Sequence, residues 1–199
     1  MTRSFDPGPV TLSGHYARLE PLSPRHAQDL FRAGGHESIW RYMPTSVFRA
    51  PGDTGAWIDT ALADAAGGSQ VSFAIIDMAQ GRTVGSTRYL TIRREHRGLE
   101  IGYTWLTPDA QRTAINTECK LLLLTHAFET LGALRVEFKT DLRNERSQRA
   151  LERIGAVREG VFRRHMILWD GYIRDSVYYS IVDTQWPEAK AHLREKLRP

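Results

Sequence analysis

The chain of 199 residues contains one cysteine, Cys119, and has no apolar run long enough to cross a bilayer. A lone cysteine forms no internal disulfide, which suits a reducing compartment. The first ten residues lack the charged-then-apolar order of a signal peptide. Together these absences predict a cytoplasmic protein without a membrane span. Leucines follow Cys119 along the chain, so this thiol is expected to pack rather than to act as a nucleophile.

Sequence motifs of metal and nucleotide chemistry are missing as well. The chain has no HExxH, paired CxxC or Walker motif, and its seven histidines show no metal-ligand spacing. We therefore expect no metal, and we expect His126 and His165 at the surface or the edge of the core. The net charge of +4 comes from basic residues interleaved with acidic ones, which is typical of a solvated helix face. A nucleic-acid-binding module is accordingly the weaker interpretation.

The composition supports one sizeable core. Hydrophobic residues make up 41% of the chain and charged residues 25%, with no internal repeat or linker-like segment. We therefore expect a single domain over residues 1–199.

A strand followed by a polar loop and a helix is the most informative segment. Residues 99–106 form an apolar strand pattern, residues 109–116 a polar loop, and a helix is predicted to begin near Thr117. The first backbone N–H groups of that helix have no partner inside it. Because they coincide with the positive end of the helix dipole, they favour a bound anion.

A second strand and helix follow at once. Residues 135–140 alternate like a strand, and Asn144 is the predicted N-cap of a helix whose apolar positions share one face. Gly155 is placed where a left-handed residue would end that helix. The remaining elements are predicted as a strand at 16–22, helices at 24–33 and 53–66, a hairpin of 71–77 with 83–92, a hairpin of 161–169 with 172–182, and a helix from Trp186.

The two central units resemble the GNAT superfamily of acetyl-CoA-dependent N-acetyltransferases, and within it the branch of the ribosomal-protein alanine N-acetyltransferases. The family's pyrophosphate loop, Q/R-x-x-G-x-G/A, falls on residues 111–116, and its N-x-x-S-x-x-x-L-E-x-x-G segment falls on residues 144–155. The resemblance covers about residues 16–197. It implies a single α/β domain with a mostly antiparallel, centrally splayed mixed sheet flanked by helices.

The resemblance also implies a site for acetyl-CoA. Its expected cofactor-binding residues are Trp105, Leu106, Thr107, Gln111, Arg112, Thr113, Ala114, Ile115, Asn116, Thr117, Asn144 and Ser147. Two of them, Ala114 and Asn116, replace glycines of the pattern. A positive φ at Ala114 would cost roughly 1 to 2 kcal/mol, whereas asparagine tolerates a left-handed conformation and can cap the following helix. Arg112 and Arg149 are expected either to approach the phosphates of CoA or to be ordinary surface residues.

The resemblance implies that a neutral amine attacks the thioester directly. In the family a backbone N–H at a bulge of the cofactor strand polarises the thioester carbonyl, and in this chain that bulge maps to Trp105 to Thr107. Glu100 is the candidate base, with a surface or salt-bridge role as the alternative. Ser147 resembles the serine that this branch places beside the leaving sulfur, with helix capping as its alternative role. Many relatives use a tyrosine as acid where this chain has Leu151, and a solvent proton is a further alternative.

The acceptor is a primary amine, either a protein N-terminus or a small amino-acid-like molecule, and the positive charge of the protein favours a small or anionic amine. Residues considered for the acceptor site or the core are Trp40, Tyr42, Met43, Arg88, His165, Tyr172 and Tyr178. The alternative function is a non-catalytic acyl-CoA binder or sensor of the same fold. A homodimer is left open.

Overall fold

The computed structural model describes residues 5–198, so the ends of the predicted domain, 1–4 and 199, lie outside the described residues. Eight strands form one sheet in the order β1-β2-β3-β4-β5-β6-β8-β7. The strands are β1 (Leu12–Ser13), β2 (Ala17–Pro21), β3 (Val71–Asp77), β4 (Arg82–Arg93), β5 (Gly98–Leu106), β6 (Arg135–Asp141), β7 (Val157–Ile167) and β8 (Ile173–Val182). The helices are α1 (Ala27–Gly34), α2 (Glu37–Trp40), α3 (Pro51–Ala66), α4 (Ala114–Thr125), α5 (Glu145–Arg153) and α6 (Trp186–Lys196). None of the helices among these residues is long and apolar enough to cross a membrane.

The sheet is mixed because β5 and β6 pair in parallel while every other neighbouring pair is antiparallel. One face packs against α4 and α6, where Leu99, Leu124 and Trp186 join the larger core. The other face packs against α1, α2 and α3, where Trp40 and Trp105 join a second core. The predicted α/β fold with a mostly antiparallel mixed sheet is confirmed.

Pairing between β5 and β6 is confined to their first three residues, Gly98–Glu100 opposite Arg135–Glu137. Beyond that point β6 continues along β8, and the second half of β5 has no strand partner on that side. The predicted central splay is therefore present. It opens a gap through the sheet between the two faces.

The predicted start of α4 is wrong by three residues. The helix begins at Ala114 rather than near Thr117, because the hydroxyl of Thr113 accepts the amide of Ile115 at 3.3 Å and caps the helix. Asn116 is thus inside the first turn, and it is not the cap. Smaller differences occur at α1, which follows a short turn of 3₁₀ helix, at β7, which begins four residues earlier than predicted, and at the short α2, which was not predicted.

The predicted ends of α5 are confirmed. The side chain of Asn144 accepts the amide of Ser147 at 3.1 Å, which caps the first turn. Gly155 has φ 85°, and the amides of Gly155 and Ala156 bond back to the carbonyls of Glu152 and Leu151. This is the Schellman arrangement, and it requires the left-handed conformation that glycine adopts without strain.

Glu118 of α4 holds the first hairpin of the sheet. Its buried carboxylate accepts the amides of His15, Tyr16 and Ala17 at 2.6 to 2.8 Å. A side chain at Gly14 would collide with the same carboxylate. The position of α4 is therefore tied to a turn about a hundred residues earlier in the chain.

Candidate functional site

A β-bulge in β5 borders the gap. Gly102 pairs with Arg88 and Trp105 pairs with Ser86, so Tyr103 and Thr104 together face one residue of β4. Tyr103 has φ 52°, an uncommon conformation for a non-glycine residue. The predicted position of the bulge, Trp105 to Thr107, is wrong.

The bulge and the splay leave one backbone amide of this segment free. Thr107 donates its N–H to the carbonyl of Val84 at 2.8 Å, so its amide is occupied. Successive backbone groups of a strand point to opposite edges, so the amide of Trp105 also faces β4 and that of Leu106 faces the gap. The carbonyl of Leu106 on the same edge accepts the side-chain amide of Gln111 at 2.9 Å. Of the three predicted donors, only Leu106 presents its N–H where no strand pairs.

The loop before α4 has the geometry of an anion cradle. Arg112 is exposed and left-handed, with φ 62°, whereas Ala114 is not among the residues with positive φ, so its methyl group causes no backbone strain. With the helix starting at Ala114, the amides without intrahelical partners are those of Thr113, Ala114, Ile115 and Asn116. The amide of Thr117 lies inside the helix. The anion-binding end is thus three residues nearer to β5 than predicted.

Gln111 links the loop to both sides of the gap. Its amide nitrogen donates to Leu106 of β5, and its carbonyl oxygen accepts Arg146 of α5 at 2.7 Å. Arg146 was not predicted as a site residue. Its position in the first turn of α5, two residues after the predicted N-cap Asn144, could have indicated that it lies near the site. Arg149, for which a phosphate contact and an ordinary surface position are the two expectations, pairs with Glu145 at 3.0 Å on the exposed side of α5.

Ser147 lies at the start of α5, where its backbone amide completes the Asn144 cap. Its hydroxyl makes no hydrogen bond to any residue between 5 and 198. The capping role considered for Ser147 is therefore performed by its main chain, and the hydroxyl is left for another partner.

Glu100 lies on the face of the sheet opposite to α4, because its neighbours Leu99 and Ile101 enter the core on the α4 side. Its side chain is 3% exposed, and Oε2 accepts the ammonium of Lys139 at 2.7 Å. The ion pair joins Glu100, the last paired residue of β5, to Lys139, which lies two residues beyond the last paired residue of β6. Glu100 thus has the salt bridge that sequence analysis considered, and it also lines a cleft.

The cleft has a volume of about 490 Å³ and lies across β4 to β7. Both ring nitrogens of His165 are hydrogen-bonded. Nδ1 lies 3.0 Å from the hydroxyl of Ser176, and Nε2 lies 3.4 Å from the hydroxyl of Tyr178. Burial, together with the charge of Lys139, lowers the pKa of His165, which keeps the ring neutral at pH 7. The lining residues are Thr91, Arg93, Glu100, Arg135, Glu137, Lys139, Glu159, Gly160, Phe162, His165 and Tyr178.

The other residues considered for the acceptor site are distributed differently. Trp40 is fully buried against Phe48 and Trp105 and belongs to the core. Tyr42 and Tyr172 stack on the guanidinium of Arg143, which lies 3.3 Å from the centre of the Tyr172 ring.

Two buried arginines also lie on the face opposite to α4. Arg88 lies between the rings of Trp57 and Tyr103, and its Nε has no hydrogen-bond partner. Arg174 is equally buried, its Nη1 donates to the carbonyl of Tyr42 at 3.5 Å, and its Nε also lacks a partner. Both carry positive charge on the side of the sheet where the cleft opens.

Lys120 is a site residue that sequence analysis missed. It lies on α4 at the edge of the gap, is 6% exposed, and donates to the hydroxyl of Thr104 in the bulge at 2.9 Å. The signal was its spacing from Leu123, Leu124 and Ala127, which places a charged side chain on the apolar face of the helix.

Cys119 and His126 pack against other side chains. Cys119 is 1% exposed, and burial raises the pKa of its thiol to about 12, which suits a packing residue. His126 stacks on the ring of Tyr89. Among residues 5–198 no group of three or more potential ligands could hold a metal ion.

Comparisons with known proteins agree with this geometry. The family described as acetyltransferase (GNAT) domain matches residues 17–157. Over 110 residues the chain is 33% identical to YdaF of Bacillus subtilis (strain 168), which is named as a ribosomal N-acetyltransferase. That match covers 55% of this chain and 59% of YdaF, so it spans less than two thirds of this relative.

Solved structures with the same fold cover nearly the whole chain. A GCN5-related N-acetyltransferase from Brucella melitensis is 30% identical, with a TM-score of 0.92 over 98% of this chain and 88% of that one. RimJ of Mycobacterium smegmatis, solved in complex with CoA-disulfide, is 22% identical, with a TM-score of 0.78 over 98% of this chain and 97% of that one. At that identity the likeness to RimJ concerns the fold.

Proposed function

We propose that this chain, which belongs to the GNAT acetyltransferase family, transfers an acetyl group from acetyl-CoA to a primary amine by direct attack. The observation that carries the proposal is the gap between β5 and β6, which has the start of α4 on one side and, on the other, a cleft lined by charged residues of both signs. A co-substrate bound from the α4 side would meet an acceptor bound from the cleft side inside this gap.

The residues around the loop fit acetyl-CoA. The amides of Thr113, Ala114 and Asn116, which have no partner inside the helix, and the positive charge of Arg112 suit a pyrophosphate. The amide of Leu106 suits the thioester oxygen, because a fixed donor at an unpaired strand edge stabilises the charge that develops there. Asn144 and Ser147, in the first turn of α5 beside Arg146, are proposed to contact the cofactor from the other side of the loop. Acetyl-CoA supplies the activated acetyl group, and the protein supplies position and charge.

Glu100 is proposed to accept the proton of the attacking amine, directly or through water. Its carboxylate borders the cleft, and Lys139 fixes its orientation from the neighbouring strand. The neutral ring of His165 offers a second proton acceptor in the same cleft. An amine must lose a proton before it attacks, so a cleft with two such groups suits an amine acceptor.

The acceptor is proposed to be a small amine that carries a carboxylate. The buried guanidinium groups of Arg88 and Arg174 lie on the acceptor face, and each retains an unpartnered Nε. The rival interpretation is a non-catalytic acyl-CoA binder, which is favoured by Ala114 and Asn116 in place of the glycines of the loop and by Leu151 in place of an acidic tyrosine. The non-positive φ at Ala114 removes the strain on which part of that argument depended.

The test measures turnover of acetyl-CoA with a panel of acceptors. The two readouts are the release of free CoA thiol and the increase in mass of the acceptor. The panel contains amino acids, their decarboxylated analogues, and peptides with a free N-terminal alanine. We expect the acids to react faster than their decarboxylated analogues. CoA binding without turnover of any acceptor would favour the acyl-CoA binder.

A further inference from the structure

The ammonium of Lys120 is buried without a counter-ion. Its Nζ lies 2.9 Å from the hydroxyl oxygen of Thr104 and 5.9 Å from the centre of the Phe138 ring. Among residues 5–198 no carboxylate lies within ion-pair distance of it, and Thr104 is its one hydrogen-bond acceptor. An ammonium has three N–H groups, and burying them unpaired costs free energy.

Lys120 reaches the gap from the α4 side. Thr104 belongs to the bulge of β5 and Phe138 to β6, so the ammonium lies between the two strands where they separate. Because Thr104 accepts from Lys120, its own hydrogen is free to bond Thr87, whose hydroxyl oxygen is 2.8 Å away. This arrangement holds the Lys120 side chain in place and leaves two of its N–H groups for a partner that the protein does not supply.

We propose that Lys120 donates the proton that the CoA thiolate takes up as it leaves. The inference rests on the proposed acetyl transfer. When the carbon–sulfur bond breaks, its electron pair stays on sulfur, a proton moves from Nζ to that sulfur, and Lys120 becomes a neutral amine that solvent protonates again. Leu151 cannot perform this step, and Glu100 accepts the amine's proton on the opposite face of the sheet.

The surroundings of Lys120 suit that role. Burial lowers its pKa to about 8, close to the value of about 8.5 for an ordinary thiol, so the proton passes with little free-energy cost. Its neighbour Cys119 is a neutral thiol at that pH, because burial raises its pKa to about 12. Glu118 directs its carboxylate at the β1–β2 turn. No other charged group acts on Lys120 from the strands packed against it.

The test measures the thiol pKa of bound CoA, from the ultraviolet absorbance of the thiolate as a function of pH. A nearby cation lowers such a pKa by about one unit or more. In the wild-type protein we therefore expect the thiol pKa of bound CoA to be lower than that of free CoA. In Lys120→Arg the thiol pKa of bound CoA should also be lower than that of free CoA. In Lys120→Met it should equal that of free CoA. A Lys196→Met variant, which removes an exposed lysine of α6, should match the wild type.

Steady-state rates supply the second measurement. Lys120→Met should lower kcat about a hundredfold, and Lys120→Arg should lower kcat as well, since guanidinium keeps the positive charge but does not give up its proton. The melting temperature of Lys120→Met should equal or exceed that of the wild type, because an unpaired buried charge is removed. Failure of CoA to bind would overturn the proposed function along with this inference. CoA binding with the same thiol pKa in wild type and Lys120→Met would overturn this inference alone.

Discussion

The ammonium of Lys139 and the carboxylate of Glu100 form a 2.7 Å ion pair that bridges β6 and β5 at the mouth of the splay. The pair lies on one face of the sheet, while Lys120 enters the gap from the other. Side chains alternate along both strands, so the register of the parallel pair fixes which face receives each charge. The proposed proton acceptor, Glu100, and the proposed proton donor, Lys120, thus lie on opposite faces of the sheet.

Replacement of Glu100 by glutamine tests the proposed base. Glu100→Gln should lower kcat/KM for acetyl transfer by roughly a hundredfold, since the amide cannot accept the amine's proton. The dissociation constant of CoA should be unchanged in calorimetric titration. Glu20→Gln is the matched control, because Glu20 is also an ion-paired carboxylate on a strand but is remote from the gap. Equal activity of both variants would remove Glu100 from the mechanism.

Replacement of Arg112 by glycine separates backbone strain from charge. Arg112→Gly should raise the free energy of unfolding by about 1 kcal/mol, because glycine adopts a positive φ without strain. It should also weaken CoA binding severalfold through the lost charge. Arg164→Gly, at another residue of positive φ, should stabilise the protein similarly and leave CoA affinity unchanged.

The helical Ala114 completes this comparison. Ala114→Gly should leave CoA affinity unchanged and cost at most about 1 kcal/mol of stability, because this residue has no positive φ to relieve. Denaturant unfolding and calorimetric titration measure both quantities. Tighter CoA binding in Ala114→Gly would contradict the helical placement of this residue.

Asn144 is expected to have a structural and a functional role. Asn144→Ala should cost roughly 1 kcal/mol of stability through loss of the cap and should raise the KM for acetyl-CoA. Asn144→Asp keeps an accepting oxygen at the cap and should retain the stability. A loss of stability in Asn144→Ala with unchanged KM would leave only the capping role.

The pH dependence of stability follows from two histidines. Burial lowers the pKa of both His126 and His165 below the ordinary value of 6.5, so protonation is less favourable in the folded than in the unfolded chain. Stability should be full above pH 6.5 and fall as the pH drops through the folded values. His165→Gln should flatten part of that decline in unfolding experiments at pH 5 to 8. An unchanged slope would show that His165 does not contribute.

Periodicity and caps in the sequence predicted most of the fold. Residues 71–77 form β3 as predicted, because a continuous apolar run bounded by turn residues suits a strand buried on both faces. The cap at Asn144 and the left-handed Gly155 were predictable from residue type. The bulge was not, because Tyr103 has no preference for a positive φ and adopts it only where β4 and the ring contacts of Arg88 hold it. Lys120 was missed since helix periodicity marks a buried position but does not say which ligand it faces.

The hydrogen bonds between Glu118 and the turn at His15 to Ala17 have a consequence for synthesis of the protein. The three amides of the turn have no acceptor until the ribosome has added Glu118, which lies 103 residues beyond His15. A ribosome adds about 5 to 20 residues per second, so the nascent hairpin remains without this partner for on the order of 5 to 20 s. The amino-terminal edge of the sheet therefore reaches its final form only after the helix that begins the phosphate cradle has been made.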